Sequence, residues 1–165
     1  MPSSQRLDAT DARLLRAMAR LPRATAVALA DLLGLSRNTV QARLARLEQG
    51  DALRSVEHRV DPAALGYPLT AFVTTQVTQR RLDEVAGELA VIPEVLQVQG
   101  LSGQNDLLVQ VVATDADDLY RVAGEILAIP GVERTNTALV MRELLPYRLT
   151  PLLDRGAGAV RSSAE

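Results

Sequence analysis

Between Thr25 and Glu48 the chain reads TAVALADLLGLSRNTVQARLARLE, and its polar side chains are of the kinds that handle nucleic acid. Arg37 suits guanine, and Asn38 and Gln41 suit adenine, because each offers paired hydrogen-bonding groups that match a base edge. Ser36, Thr39, Arg43 and Arg46 are suited to holding phosphates or to bracing the fold. At helical steps Val40, Leu44 and Leu47 share one face, which leaves Arg37, Asn38, Gln41 and Arg46 pointing outward.

The elements that position these groups are legible on either side. Thr25 can cap a first helix with Leu29, Ala30 and Leu33 as its apolar stripe. Gly34 permits the left-handed conformation that a sharp stop requires, and Ser36 can cap the second helix. Two short helices joined in this way describe a helix-turn-helix. An αα-hairpin of any helical domain shares the outline; the small residue at 30, Gly34 and Ser36 favour the specific reading. Arg43 stands where many such motifs carry an aliphatic residue.

A helix is expected over Leu7–Leu21, capped by Asp8, with Leu14, Leu15, Met18 and Leu21 inward and Pro22 as its stop. It supplies a surface on which the other two can bury their faces. Arg20 and Arg23 lie near the start of the next helix, as phosphate contacts or as a solvated helix end. Gly50 and Asp51 close the third helix. Leu53–Val60 reads as an extended wing or linker strand, and residues 61–68 (DPAALGYP) mark a domain boundary.

The pattern then changes to alternation. Leu69, Ala71, Val73 and Val77 alternate with Thr70, Thr74, Gln76 and Thr78, as in a half-buried strand. A helix face follows at Leu82, Val85, Ala86 and Leu89, then strands over Val95–Gly100 and Asp106–Ala113. A helix capped by Asp115 carries Leu119, Val122, Ala123 and Ile126, and a last strand spans Val132–Leu145. ELAVIPEV at Glu88–Val95 and EILAIPGV at Glu125–Val132 form a weak internal repeat. The order βαββαβ with such a repeat describes a ferredoxin-like domain, with both helices on one face of an antiparallel sheet. The other face then lacks cover from its own chain, and self-association is expected there. The expected divisions are 1–52 for the helix-turn-helix, 53–68 for the linker, 69–150 for the ferredoxin-like domain and 151–165 for a disordered tail.

Composition narrows the function classes. Hydrophobic residues make up 47% of the 165, enough for packed cores, while aromatics are only 2%, which disfavours single-strand binding by base stacking. With no cysteine there is neither a disulfide framework nor a thiolate metal site. No apolar run approaches membrane length and no leader pattern opens the chain, so a cytoplasmic protein with no membrane partner is expected. The net charge of −2 is unevenly spread: residues 1–60 hold ten arginines against six acids, and residues 61–165 hold eight against fourteen. The basic excess lies with the helix-turn-helix, as phosphate contact requires.

These parts in this order resemble the Lrp/AsnC, or feast/famine, family. The matching residues are Leu7-Asp8 with Asp11, LADLLGLSRNTVQARLARLE (Leu29–Glu48), Val60-Asp61 with Leu65-Gly66, Gly100 through Gly103 to Asp106-Leu107, and the strand around Thr135 and Thr137. Arg43 fits the version of the motif found in this family. Asp51 departs from it, since a glycine usually stands there; aspartate tolerates the left-handed conformation better than most residues. The resemblance implies a transcription regulator. Its N-terminal winged-helix-like domain would bind double-stranded DNA. Its C-terminal ferredoxin-like (RAM) domain would form homodimers, assemble further to tetramers or octamers, and bind a small effector, commonly an amino acid. Such effectors lie between RAM domains, here at Gly100, Leu101, Gly103, Gln104, Asn105 and Asp106, with Thr135, Asn136 and Thr137 opposite. Asp106 could take an ammonium group and the backbone N–H groups near Gly100 and Gly103 a carboxylate. An ordinary hairpin turn capped by Asp106 is the alternative.

No enzyme and no cofactor are expected. Some proteins of this architecture resemble siroheme decarboxylases, which use histidines, but this chain has one, His58, in the expected linker strand. An architectural protein that coats DNA with little sequence preference is the other alternative.

Overall fold

The computed structural model describes residues 7–50 and 52–158. The expectations for residues 1–6, for a left-handed turn at Asp51 and for residues 159–165 lie outside the described residues. The chain forms two compact units, divided between His58 and Arg59 and again between Leu144 and Leu145, so that the first unit contains segments from both ends of the chain.

In the first unit Asp8 caps α1 (Ala9–Arg20) in a reciprocal box with Asp11: the Asp11 N–H donates to Asp8 at 2.8 Å and the Asp8 N–H to Asp11 at 3.0 Å. Thr25 caps α2 (Ala26–Leu33), and Gly34 ends it in the left-handed region at φ 67°. Ser36 caps α3 (Arg37–Gln49) by accepting from the Thr39 N–H at 3.0 Å. Leu14, Ala17, Leu29, Ala30, Val40 and Leu47 form the shared core, with Leu15, Met18, Leu33, Leu44 and Leu53 packed around it. Leu21, expected inward, is exposed instead, because α1 has already ended at Arg20 and the chain is turning into Pro22.

Two expectations for this unit are corrected. Leu53–Val60 is not an extended wing; Val56–Arg59 forms a 3-10 turn, closed by the His58 N–H donating to the Ser55 carbonyl at 3.2 Å. His58 is therefore an exposed turn residue, its Nδ1 3.3 Å from Ser55 Oγ. The tail is not disordered over its first part: Thr150–Gly158 is a helix, α6, that packs against α1. Pro151 lies in its first turn, where a missing N–H costs nothing.

In the second unit a 3-10 turn at Pro62–Leu65, capped by Asp61, leads into β1 (Leu69–Val77). Then follow α4 (Leu82–Leu89), β2 (Val95–Gly100), β3 (Leu107–Ala113), α5 (Ala116–Ala128) and β4 (Val132–Leu139). The antiparallel sheet has the order β2-β3-β1-β4, the ferredoxin-like arrangement. Ala71, Val73, Val77, Val109 and Val111 meet Val85, Leu89, Val122 and Ile126 of the helices. The two repeat copies turn alike: the Val95 N–H bonds to Ile92 O at 3.1 Å and the Val132 N–H to Ile129 O at 3.0 Å. Arg121 on α5 is held by Glu94, Asp118 and Glu125. β4 is shorter than the expected Val132–Leu145. Its last bond runs from the Val140 N–H to Thr70 O, and beyond that β1 offers little further strand, since Pro68 precedes it.

Register places Thr70, Phe72, Thr74 and Gln76 of β1 on the face away from the helices, beside Gln110, Val112, Asn136 and Ala138. This face mixes threonines and amides with Phe72, Leu108 and Val112. Phe72, 36% exposed, is its largest apolar group.

Candidate DNA interface and effector region

The caps and core of the first unit determine what α3 presents. Val40 and Leu47 are buried, and Leu44 is half-buried, so the opposite side of the helix must face solvent. Arg37, Asn38 and Gln41 are exposed there as expected. Ala42 and Ala45 are exposed beside them and were not singled out from sequence. With Asn38 and Gln41 they fall at i, i+3, i+4 and i+7, one continuous helix face. Alanine is short enough to let a helix approach a groove closely and to touch a thymine methyl. Ser36 and Thr39 share a 2.8 Å hydroxyl contact within the cap, which holds the start of the helix in place.

Arg43 and Arg46 are engaged elsewhere. Arg43 Nη1 lies 2.6 Å from Asp8 Oδ2 and 2.7 Å from Asp11 Oδ1, and Arg46 Nη2 lies 2.5 Å from Asp11 Oδ2. These ion pairs brace α3 against the start of α1. Hydrogen bonding from Arg43 holds the Asp8 carboxyl below the usual carboxylate range, against a smaller opposing pull from burial. Donating to Asp8 and to Asp11 raises Arg43 further above its ordinary value. Sequence reasoning missed these acids as partners of α3, because 32 to 35 residues separate the pairs. The available signal was matched spacing, Asp8 with Asp11 and Arg43 with Arg46, each one helical turn apart.

In the second unit the turn between β2 and β3 contains Leu101, Gly103, Gln104 and Asn105. The Leu101 N–H donates to Asp106 O at 2.8 Å, and Gln76 Nε2 donates to Gln104 O at 2.8 Å. Gly103 takes φ 129°, where side chains are strained. Asp106 does not point freely outward: its Oδ2 accepts from the Val77 N–H at 2.8 Å and its Oδ1 from Gln79 Nε2. The carboxylate thus ties the start of β3 to the end of β1 and makes no bond to the turn itself. Thr135 and Thr137 pair with Thr75 and Val73 and so share their helix-facing side, while Asn136 pairs with Thr74 on the open side. Gly100 is on β2, at one edge of the sheet, and Thr135–Thr137 are on β4, at the other. Three strand spacings, about 14 Å, separate them within one subunit. One chain alone does not bring these two groups together. Thr75, 0% exposed, lies between them with a hydroxyl that has no partner among the described residues.

Two family models match the chain: the AsnC-type helix-turn-helix domain over residues 7–48 and the Lrp/AsnC ligand binding domain over residues 70–150. The HTH-type transcriptional regulator AldR of Mycolicibacterium smegmatis is 32% identical over 145 residues, spanning 84% of this chain and 83% of that protein. The HTH-type transcriptional regulator FL11 of Pyrococcus horikoshii is 29% identical over 136 residues, spanning 82% of this chain and 90% of that protein. Among solved structures, a transcriptional regulator of Neisseria meningitidis in complex with L-Met superposes with a TM-score of 0.74 at 26% identity, covering 86% of this chain and 94% of that one.

Proposed function

The chain belongs to the Lrp/AsnC family of DNA-binding transcriptional regulators, and from this premise we propose that it reads a specific operator through α3 and answers to an amino-acid effector. The observation that carries the first half is the exposed face of Arg37, Asn38 and Gln41 on a helix capped at Ser36 and backed by a closed core. A homodimer presents two such helices, so the operator is roughly palindromic, with half-sites one or two helical turns apart. Arg37 pairs with guanine, Asn38 and Gln41 with adenine, and Ala42 and Ala45 permit close approach.

The effector half rests on the ligand-binding domain match and on the bound L-Met of the Neisseria relative. Gly100, Leu101, Gly103, Gln104 and Asn105 of one subunit, with Thr135, Asn136 and Thr137 of another, form the seat. The wide separation of the two groups within a chain supports a seat between subunits. Because Asp106 is engaged with Val77 and Gln79, its role is to fix the start of β3 against β1, and backbone carbonyls take the ligand ammonium. Binding at a seam between subunits favours one assembly, tetramer or octamer, over another, and so changes how many paired α3 helices meet the operator.

The functional divisions we propose are 1–52 for DNA, 53–68 as linker and 69–150 for assembly and effector. To these we add α6, which belongs with the DNA-binding unit. No helix among the described residues is long and apolar enough to cross a membrane.

Footprinting on chromosomal fragments, followed by binding of Arg37→Ala to permuted operators, tests the reading. A loss of about 1–3 kcal/mol confined to one base position is expected. Equal weakening on every sequence makes Arg37 a phosphate contact, and broad protection without an operator makes the protein architectural.

A further inference from the structure

Asp8 and Asp11 stand one turn apart at the start of α1, and Arg43 and Arg46 one turn apart on α3, with three N–O contacts of 2.5 to 2.7 Å between them. Burial across this cluster is uneven. Asp11 is 1% exposed, while the Arg46 side chain is 42% exposed. Two guanidiniums therefore reach down from the surface of the recognition helix to a carboxylate beneath it. Arginine binds carboxylate and phosphate with the same donors, so groups turned toward Asp8 and Asp11 are not offered to a DNA backbone. Sequence-independent affinity grows with the number of phosphates neutralised. Two arginines withheld lower that term and leave base reading by Arg37, Asn38 and Gln41 untouched.

We propose that Asp8 and Asp11 are specificity-determining positioning residues, which hold Arg43 and Arg46 off the phosphate backbone and so raise the ratio of specific to non-specific DNA binding. The proposal rests on the reading of α3 as the recognition helix. It assigns Asp8 and Asp11 a role that capping and packing alone do not require.

The test measures binding of the full chain to random-sequence duplex DNA as a function of salt, for Asp8→Asn and Asp11→Asn. Asparagine at position 8 is still a good helix cap, so that variant keeps its fold and decides the matter if Asp11→Asn does not. Freed arginines add phosphate contacts, so the slope of log affinity against log salt steepens by less than about one for Asp8→Asn, in which Arg43 keeps only Asp11, by about one for Asp11→Asn, which frees Arg46 and leaves Arg43 on Asp8, and by about two when both are replaced. Asp31→Asn makes the same charge change on an exposed acid of α2 with no arginine partner among the described residues, and its slope stays at that of wild type. A lowered melting temperature with an unchanged slope, or a slope no steeper than that of Asp31→Asn, overturns the proposal. Arg37→Glu separates this failure from failure of the underlying reading. If it does not weaken DNA binding, α3 is not the DNA-facing helix and both fall. If it does, and the aspartate variants keep the wild-type slope, only the clamp is lost.

Discussion

Arg16 Nε on α1 lies 3.0 Å from Asp154 Oδ1 on α6, an ion pair that joins the first helix of the chain to the last. Half of the Asp154 side chain is exposed, so the pair alone is worth only about 0.2–1 kcal/mol. The packing of α6 on α1 is expected to contribute more, with Leu153 half-buried. Asp154→Ala should lower stability by less than about 1 kcal/mol. Truncation after Arg148 should lower it by more, and should weaken DNA binding while the ferredoxin-like unit stays folded. Urea melts followed by circular dichroism check both. Equal stability of the truncated and full chains would show that α6 is not part of the DNA-binding unit.

Gly34 makes the turn between α2 and α3 at φ 67°, and a Cβ there would meet nothing within 4 Å. Substitution should therefore cost backbone strain and no packing. Gly34→Ala is expected to lose about 1–2 kcal/mol. Gly34→Asn should lose less, because asparagine tolerates the left-handed region. Chemical denaturation of the two variants measures the order, and a larger loss for asparagine would refute a backbone cause.

Asp8 supplies a pH dependence whose direction is determined. Its folded pKa is lowered below the ordinary 3.8 by hydrogen bonding from Arg43, so the stabilisation is fully present above that value and is lost as pH falls through the lowered one. The wild type should exceed Asp8→Asn in stability at neutral pH. The gap should stay constant down to about pH 4 and close below it. Denaturation midpoints of the two proteins along a pH series follow the gap. A gap that persists unchanged at the lowest pH would mean that the charge of Asp8 contributes nothing.

Thr137 is exposed on β4, an edge strand, opposite Val73. Valine matches its shape and suits a strand, so Thr137→Val should leave the melting temperature of the free protein unchanged. An amino acid at about one hundred times its dissociation constant should stabilise the wild type by about 2.7 kcal/mol. In Thr137→Val that thermal shift should shrink or vanish. A full shift in the variant would move the proposed seat away from the last strand.

Much of the fold was legible because its signals are local. Asp8, Thr25, Ser36 and Asp115 cap helices where their side chains reach N–H groups three residues on, and Gly34 takes the conformation that only a glycine adopts without strain. The alternation through β1 and the repeated turn at Ile92 and Ile129 likewise need only a short window of sequence. The candidate DNA face was legible for the same reason: once Val40 and Leu47 face inward, Arg37, Asn38 and Gln41 must face out.

What sequence alone determined, then, is the order and type of the elements and the face each one buries, since periodicity and caps act within a turn or two of chain. Tertiary structure decided the partners. A nine-residue helix such as α6 is too short to persist in isolation, and it forms because α1 is there to cover its apolar side. Arg43 and Arg46 carry no local mark of the ion pairs they make; only the approach of Asp8 and Asp11, more than thirty residues away, supplies them. The same holds for Asp106, whose carboxylate looked free in sequence and is occupied in space by the Val77 amide and Gln79, because β1 runs beside the turn that carries it.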